Sequence, residues 1–247
     1  MDLVELQKVQ PSNFRRHPWE QARLQILEFL VQKNGISTTH ILDVGSGDAF
    51  VAKQLLNKYK GMVTAVDPNY TEAFIEQEIK SGIRFRRNLE EVKEEKIDLV
   101  LLMDVIEHVE HPEALLASIK KLPGVSASTF FFITVPAYQS LFTQHDVFLG
   151  HYRRYNIKTL KNDSSAGGLE WKQGGYFFAS LLIPRFLQKH LGRGGQHALH
   201  DWKGNSFTTG LVRSVLWTDF KISWYLSKLG IRLPGLSCYC LCNPLPS

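Results

Sequence analysis

Short β-branched, apolar runs alternate with helix-patterned runs from residue 40 to residue 135, and this alternation constrains the fold more than any other feature. His40–Val44, Met62–Val66, Ile83–Arg86, Ile97–Met103 and Thr129–Val135 read as five strands. Between the first two, Val51, Ala52, Leu55, Leu56 and Tyr59 recur at helical spacing, and Gly61 ends the run. Pro18 opens an earlier helix carrying Trp19, Ala22, Ile26, Phe29 and Leu30, closed by Asn34-Gly35. Asn69-Tyr-Thr-Glu72 fits a capping box for a helix ending at Ser81-Gly82, and Pro112–Leu122 forms another, stopped by Pro123-Gly124. Strands spaced by helices of this length imply βαβ units. The expected fold is α/β: a Rossmann-like, doubly wound, mostly parallel sheet with helices on both faces, an N-terminal helix and a helical substrate-side insertion.

The second half is less regular. Residues 137–156 form a polar, aromatic, histidine-rich loop. Residues 157–228 read mostly as helices, with a strand near Leu169–Gly174. Ser237–Cys242 reads as a last strand, with Cys238, Cys240 and Cys242 on one face and Tyr239 and Leu241 on the other. C-x-C-x-C lacks the hairpin spacing of a zinc site, so a buried strand is expected and no metal. No repeat or low-complexity linker breaks the chain. Residues 1–247 are expected as one domain: a helical segment over 1–37, a cofactor-binding core over 38–138 and a substrate-side elaboration over 139–247.

Composition narrows the class. Hydrophobic residues are 44% of the 247 and charged residues 21%, which excludes a disordered, collagen-like or coiled-coil chain. The net charge of +5 suits anionic substrates or a membrane surface. Lys158, Lys161, Arg193 and Lys203 are scattered and no nucleic-acid motif is present, so no nucleic-acid partner is expected. No apolar run approaches the roughly 18 residues of a membrane span, and the N-terminus MDLVELQKVQ has no signal pattern. The chain is therefore expected to be cytoplasmic. Tyr176–Leu191, with Arg185, Lys189 and His190 near its end, fits either an interfacial amphipathic element or a core segment; the core reading is preferred, although a lipid-like acceptor would suit the former.

The chemistry concentrates at Asp43-Val-Gly45-Ser46-Gly47-Asp48, directly after one strand and directly before a helix. Glycines there allow a tight turn and close approach of backbone to a ligand. A dinucleotide turn, G-x-G-x-x-G, would need glycine at position 50, where this chain has Phe50. Asp43 also repels a pyrophosphate and suits a ligand with a positive centre. Asp67 ends the second strand, where an open α/β sheet places the acid that binds ribose hydroxyls; the blander role is a helix cap.

DVGSGD, VDPN, DLVLLMDVIEHVEHP and VPAYQSLFTQHDVFLGHYRRY together resemble the class I S-adenosylmethionine-dependent methyltransferases. The H-D-x-x-x-G-H-Y-R-R-Y loop, the early HPWEQAR and the apolar last strand are similar to a bacterial small-molecule subgroup. The resemblance implies S-adenosylmethionine as cofactor and S-adenosylhomocysteine as product. It implies that Asp43 approaches the methionine amino group and that Gly45, Ser46 and Gly47 pass beneath methionine and ribose. By the same resemblance, Asp67 holds the ribose, Asn88 and Leu89 touch the adenine edge, and Met103 and Asp104 line the sulfonium side. Ala49 stands where many members have a third glycine.

Glu107 and His108 follow the fourth strand at the ligand-binding edge, and either reach a ligand or begin and cap the next helix. The loop after the fifth strand overhangs the same edge. His145 or His151 is the candidate base for a hydroxyl acceptor, with Asp146 as its orienter. Tyr152, Arg153 and Arg154 are candidate substrate contacts, the arginines for a carboxylate or phosphate. The same loop could instead be a lid pinned by its own hydrogen bonds. The expected function is methyl transfer to a small molecule, most simply at oxygen. The rival expectations are a nicotinamide-dependent oxidoreductase and a non-catalytic cofactor-binding protein. Neither the acceptor nor the oligomeric state is legible.

Overall fold

The computed structural model describes residues 16–190, 202 and 204–246, with backbone alone at 188–190. The N-terminal MDLVELQKVQ stretch, Leu191, Arg193 and Lys203 lie outside the described residues.

The elements in chain order are α1 (Pro18–Lys33), β1 (His40–Val44), α2 (Phe50–Tyr59), β2 (Met62–Val66), α3 (Glu72–Glu78), β3 (Arg84–Arg86) and β4 (Leu99–Met103). Then come α4 (Pro112–Lys120), β5 (Phe130–Pro136), α5 (Gln144–Phe148), α6 (Ile157–Ala166), β6 (Leu169–Phe177), α7 (Ala179–His190), α8 (Ser206–Lys228) and β7 (Ser237–Pro244). The strands form one sheet in the order β3-β2-β1-β4-β5-β7-β6. The first five are parallel, and β7 runs antiparallel to both β5 and β6.

Every residue of β4 is buried, and its side chains alternate between two cores. Leu99, Leu101 and Met103 pack with α1, α2 and α8 on one face. Val100 and Leu102 pack with α4 and α6 on the other. A strand covered on both faces is apolar throughout, as its sequence is. Truncating a side chain such as Leu101 to alanine costs about 2–5 kcal/mol. The three cysteines fall in the second core and Tyr239 and Leu241 in the first, as strand alternation requires.

Several local expectations shift. The N-cap of α3 is Thr71, whose side chain accepts from Phe74 N; Asn69 instead lies in the preceding turn, its N–H donating to Asp67. β6 runs on to Phe177, past Gly174, because β7 pairs with it through Ser237. The loop over 137–156 contains the short helix α5, capped by Thr143 and Asp146 in a capping box. Of the 176–191 segment, Phe177 and Phe178 are buried, but Ile183, Phe186 and Leu187 are exposed. The core reading therefore holds at its start and for Leu181, which packs against the first core, and does not extend to Ile183, Phe186 and Leu187.

Candidate active site

The carboxyl ends of β1, β2, β4 and β5 converge on one edge of the sheet, and the chemistry-bearing residues collect there. After β1 the chain turns through Gly45, at φ +67°, where a Cβ would lie 2.6 Å from Val105 Cγ2. Glycine is thus required both by conformation and by the close approach of the loop after β4. Gly45 N donates to Val66 O at 2.8 Å, and Gly47 N donates to Asp67 Oδ2 at 2.9 Å. Ala49 takes the left-handed conformation, φ 56°, as the N-cap of α2. It accepts there a strain that glycine would not carry. Ser46 Oγ is hydrogen-bonded to Tyr70 OH at 2.6 Å, which fixes the underside of the turn.

Two acids frame this turn. Asp67 is buried, and its second oxygen accepts from Asn69 N at 2.9 Å. Each oxygen so held keeps a lone pair for a further donor. Asp43 is also buried, but its Oδ2 has no hydrogen-bond partner. Burial pushes its carboxyl up to about 7, with Arg23 pulling the other way and Asp67 adding to the rise.

Arg23 joins this group of residues, although the periodicity of α1 did not single it out. It is buried, reaches from α1 to the end of β4, and forms an ion pair with Asp104. Asp104 has φ 59° and accepts from Thr134 Oγ1 at 3.3 Å. The usable signal was the spacing: Arg23 follows Trp19 by four residues, on the buried side of the helix, and its guanidinium lies 4.9 Å from the Trp19 ring. Met103 is buried in the first core beside these residues. Asn88 is exposed and engaged locally: its Oδ1 accepts from Glu91 N at 3.1 Å and its Nδ2 donates to Glu91 Oε1 at 2.7 Å. Leu89 packs against the second core.

The loop after β5 builds a second group. Asp146 is fully buried. Its Oδ2 accepts from Thr143 N at 2.8 Å and from Thr143 Oγ1 at 3.1 Å. Its Oδ1 accepts from His151 Nδ1 at 3.0 Å and from Arg154 Nε at 2.7 Å. Burial alone would raise the Asp146 carboxyl, but the hydrogen bonds from His151 and Arg154 outweigh it and hold the group far below the usual carboxylate range. The ionised acid accepts only, so Nδ1 of His151 carries a hydrogen toward it, and Nε2 is the ring nitrogen that Asp146 does not engage.

Glu107 lies across from this pair, fully buried, with neither carboxylate oxygen hydrogen-bonded. Burial pushes it up to about 8. Its backbone oxygen accepts from Tyr152 N at 2.8 Å, tying the loop to the end of β4. The rings of His108 and His151 meet edge to face at 4.5 Å. Glu107, His108 and His151 each offer a ligand atom within 4.8 Å of the others, a candidate metal group among the described residues that the sequence reading did not foresee.

His145 is half-buried within α5. Tyr152 is exposed, and Arg153 Nη2 donates to Glu110 O at 2.7 Å. Arg154 is directed inward: besides Asp146, its backbone N donates to Gln139 Oε1 at 2.8 Å and its Nη1 to Ala137 O at 3.4 Å. Arg154 therefore braces the loop.

The comparisons with known proteins agree with this fold. A family profile described as "Methyltransferase domain" matches residues 13–173. The chain belongs to this methyltransferase-domain family, of the class I S-adenosylmethionine-dependent kind. No curated protein gives a significant match. Among solved structures, a sarcosine dimethylglycine methyltransferase from Galdieria sulphuraria, so described provisionally, is 12% identical with a TM-score of 0.56, over 91% of this chain and 85% of that one. A SAM-dependent methyltransferase from Archaeoglobus fulgidus is 15% identical with a TM-score of 0.51, over 91% and 96%. Geranyl diphosphate C-methyltransferase from Streptomyces coelicolor, solved with magnesium, geranyl diphosphate and S-adenosylhomocysteine, is 10% identical with a TM-score of 0.57, over 92% and 79%. At such identities the likeness concerns the fold. Family membership removes the nicotinamide-dependent alternative.

The residues at the β1 and β2 ends fit the cofactor. A buried carboxylate oxygen on Asp43 with no partner matches a cationic donor, and Asp67 keeps acceptor capacity toward a diol.

Proposed function

We propose that this chain transfers the methyl group of S-adenosylmethionine to an oxygen of a small-molecule acceptor, releasing S-adenosylhomocysteine. The observation that carries the reading is the Asp146–His151 pair, set beside Glu107 and His108 at the mouth of a methyltransferase sheet.

When bound, the cofactor supplies an electrophilic methyl on a sulfonium. Asp67 accepts from the ribose hydroxyls. Asp43 accepts from the methionine amine, and a cation there stabilises its ionised form against burial. Gly45, Ser46 and Gly47 give the close backbone floor. Asn88 and Leu89 border the adenine, with Asn88 contributing its exposed edge beside its own cap. Met103, Asp104 and His108 line the sulfonium side, and Arg23 holds Asp104 in place.

Much of the acceleration comes from holding acceptor and methyl in line. His151 Nε2 takes the acceptor's proton as the new bond forms, and ionised Asp146 stabilises the resulting imidazolium. Asp146 and Arg154 are positioning residues in this scheme. Tyr152 and Arg153, at the rim, meet the acceptor's distal part. His145, next to Asp146 in α5, is the second candidate base.

The test is a methyl-transfer assay with isotopically labelled cofactor and a panel of hydroxyl, amine and carbon acceptors, paired with calorimetric titration of S-adenosylhomocysteine. Label recovered as methyl ether or ester supports the reading. Label on nitrogen or carbon alone overturns the oxygen assignment, and failure to bind S-adenosylhomocysteine overturns the reading as a whole.

A further inference from the structure

Helix α8 is apolar on two opposite faces. One face, with Leu216, Phe220 and Ser223, is buried. It packs on α1, where Phe29 meets Trp217, Phe220 and Trp224 edge-on, with centroids 5.5, 5.8 and 5.0 Å away. The other carries Phe207, Leu211, Val215, Ile222 and Tyr225, continued at the C-cap by Leu229, with exposures from 49% to 78%. At about 100° per residue these six fall within a stripe about 80° wide, roughly opposite the buried face. A helix serving only the core of its own domain is polar there. Helix α7 adds Ile183, Phe186 and Leu187 at helical spacing, all at least half exposed.

The border of the stripe is basic. The sole acid of α8, Asp219, is taken up by Ser180, whose N and Oγ both donate to it at 2.7 Å. On the other flank lie Lys221 and Lys228, and exposed Arg232 follows the helix. Lys221 Nζ lies 5.0 Å from the Phe29 ring centroid and 5.5 Å from that of Trp217; Lys228 Nζ lies 4.8 Å from that of Trp224. The ammonium groups thus lie over aromatic rings on the side of α8 between the stripe and α1, and long lysine stems let such groups swing from there toward an anionic surface. No helix among the described residues is long and apolar enough to cross a membrane, so an apolar stripe here lies on a surface.

We propose that α8, extended by α7, docks the protein on an anionic lipid surface. The stripe enters the boundary between headgroups and acyl chains, and Lys221, Lys228 and Arg232 face the lipid phosphates. A second copy of the chain meeting the same stripe about a two-fold axis would set this basic border against its own image, which like-charge repulsion opposes. The inference stands on α7 and α8 and is independent of the methyl-transfer reading.

The test is flotation of the full chain with vesicles of phosphatidylcholine mixed with phosphatidylglycerol, and with phosphatidylcholine alone. The expected result is capture by the mixed vesicles, weak capture by the neutral ones, and release by added salt. Leu211→Ser with Ile222→Ser lowers capture about tenfold or more, since each exchange removes apolar burial. Lys228→Glu lowers capture by mixed vesicles only. S-adenosylhomocysteine affinity and melting temperature report that the variants remain folded. Absence of capture by mixed vesicles overturns the proposal, as does equal capture of the double variant. A soluble dimer that the double variant converts to monomer also overturns it, assigning the stripe to a second copy.

Discussion

The backbone N–H of Gly47 donates to the Asp67 carboxylate at 2.9 Å, linking the turn after β1 to the end of β2. The acid proposed to bind ribose is thus hydrogen-bonded directly to the glycine turn. Asp67→Ala is expected to weaken S-adenosylhomocysteine binding about tenfold or more, because it removes both a ligand acceptor and the anchors of Gly47 and Asn69. Asp67→Asn keeps one acceptor oxygen and should fall between. Calorimetry decides it: unchanged affinity in Asp67→Ala removes Asp67 from the cofactor site.

Gly45→Ala tests the turn itself. The substitution puts an alanine at φ +67° and a Cβ 2.6 Å from Val105 Cγ2. We expect a loss of about 1–3 kcal/mol in urea unfolding. Adding Val105→Ala should recover the steric share alone. Full recovery by the double variant would mean the backbone conformation costs nothing.

For the histidine loop, His151→Ala should reduce kcat about 10²-fold or more with S-adenosylhomocysteine affinity retained. Asp146→Asn should approach the same loss, since it removes the negative charge that stabilises the imidazolium and leaves one acceptor oxygen for Thr143, His151 and Arg154. Asp146 adds a stability signature. Its folded-state carboxyl is held below its unfolded value, so its contribution is present above about pH 4 and is lost as the pH falls further. Asp146→Asn should flatten the acid limb of the stability curve. If His145→Ala abolishes turnover and His151→Ala does not, the base is His145.

Glu107 gives the opposite sign. Burial holds its carboxyl at about 8, against 4.5 for the unconstrained group. Over that window the folded state keeps a proton that the unfolded state has released, so stability falls as pH rises, by at most about 1.4 kcal/mol per pH unit. Glu107→Gln keeps a hydrogen-bonding side chain without the charge. It should raise the melting temperature most at pH 8 and above, and hardly at pH 5. An equal effect at both values would refute a buried, protonated Glu107.

Chelation separates two uses of His151. If the residue acts as base, exhaustive treatment with a chelator leaves turnover within about twofold. Loss of turnover, restored by one divalent ion, would instead make Glu107, His108 and His151 its ligands.

Much of the fold is legible in the sequence because it is written in local pattern. β1 and β2 begin and end where their apolar runs do, and Pro18 sits at a helix start. Asp43, Gly45 and Asp67 are legible for the same reason: a strand end, a turn and another strand end are each local. What stays hidden depends on residues far apart. Arg23 belongs to the site only because α1 crosses to β4, 81 positions away in the chain. Glu107 looks like a helix cap until the loop from 137 to 156 closes over it. Asn88 fits an adenine contact by position, yet the nearer acceptor for its side chain is the turn it caps. Along α7, apolar residues at helical spacing leave undecided which of two surfaces they meet.

The reversed strand β7 has a consequence for how the molecule is made. It lies between β5 and β6, pairing with both, although both precede it in the chain. Until Ser237–Pro244 pairs, β5 and β6 each lack the antiparallel partner they share in the folded protein. Just ahead of β7, Leu236 O accepts from Ala137 N at 2.8 Å, beside the histidine loop. The glycine turn after β1 is held by hydrogen bonds to the end of β2, whereas the root of the histidine loop depends on the segment that leads into the last strand of the sheet.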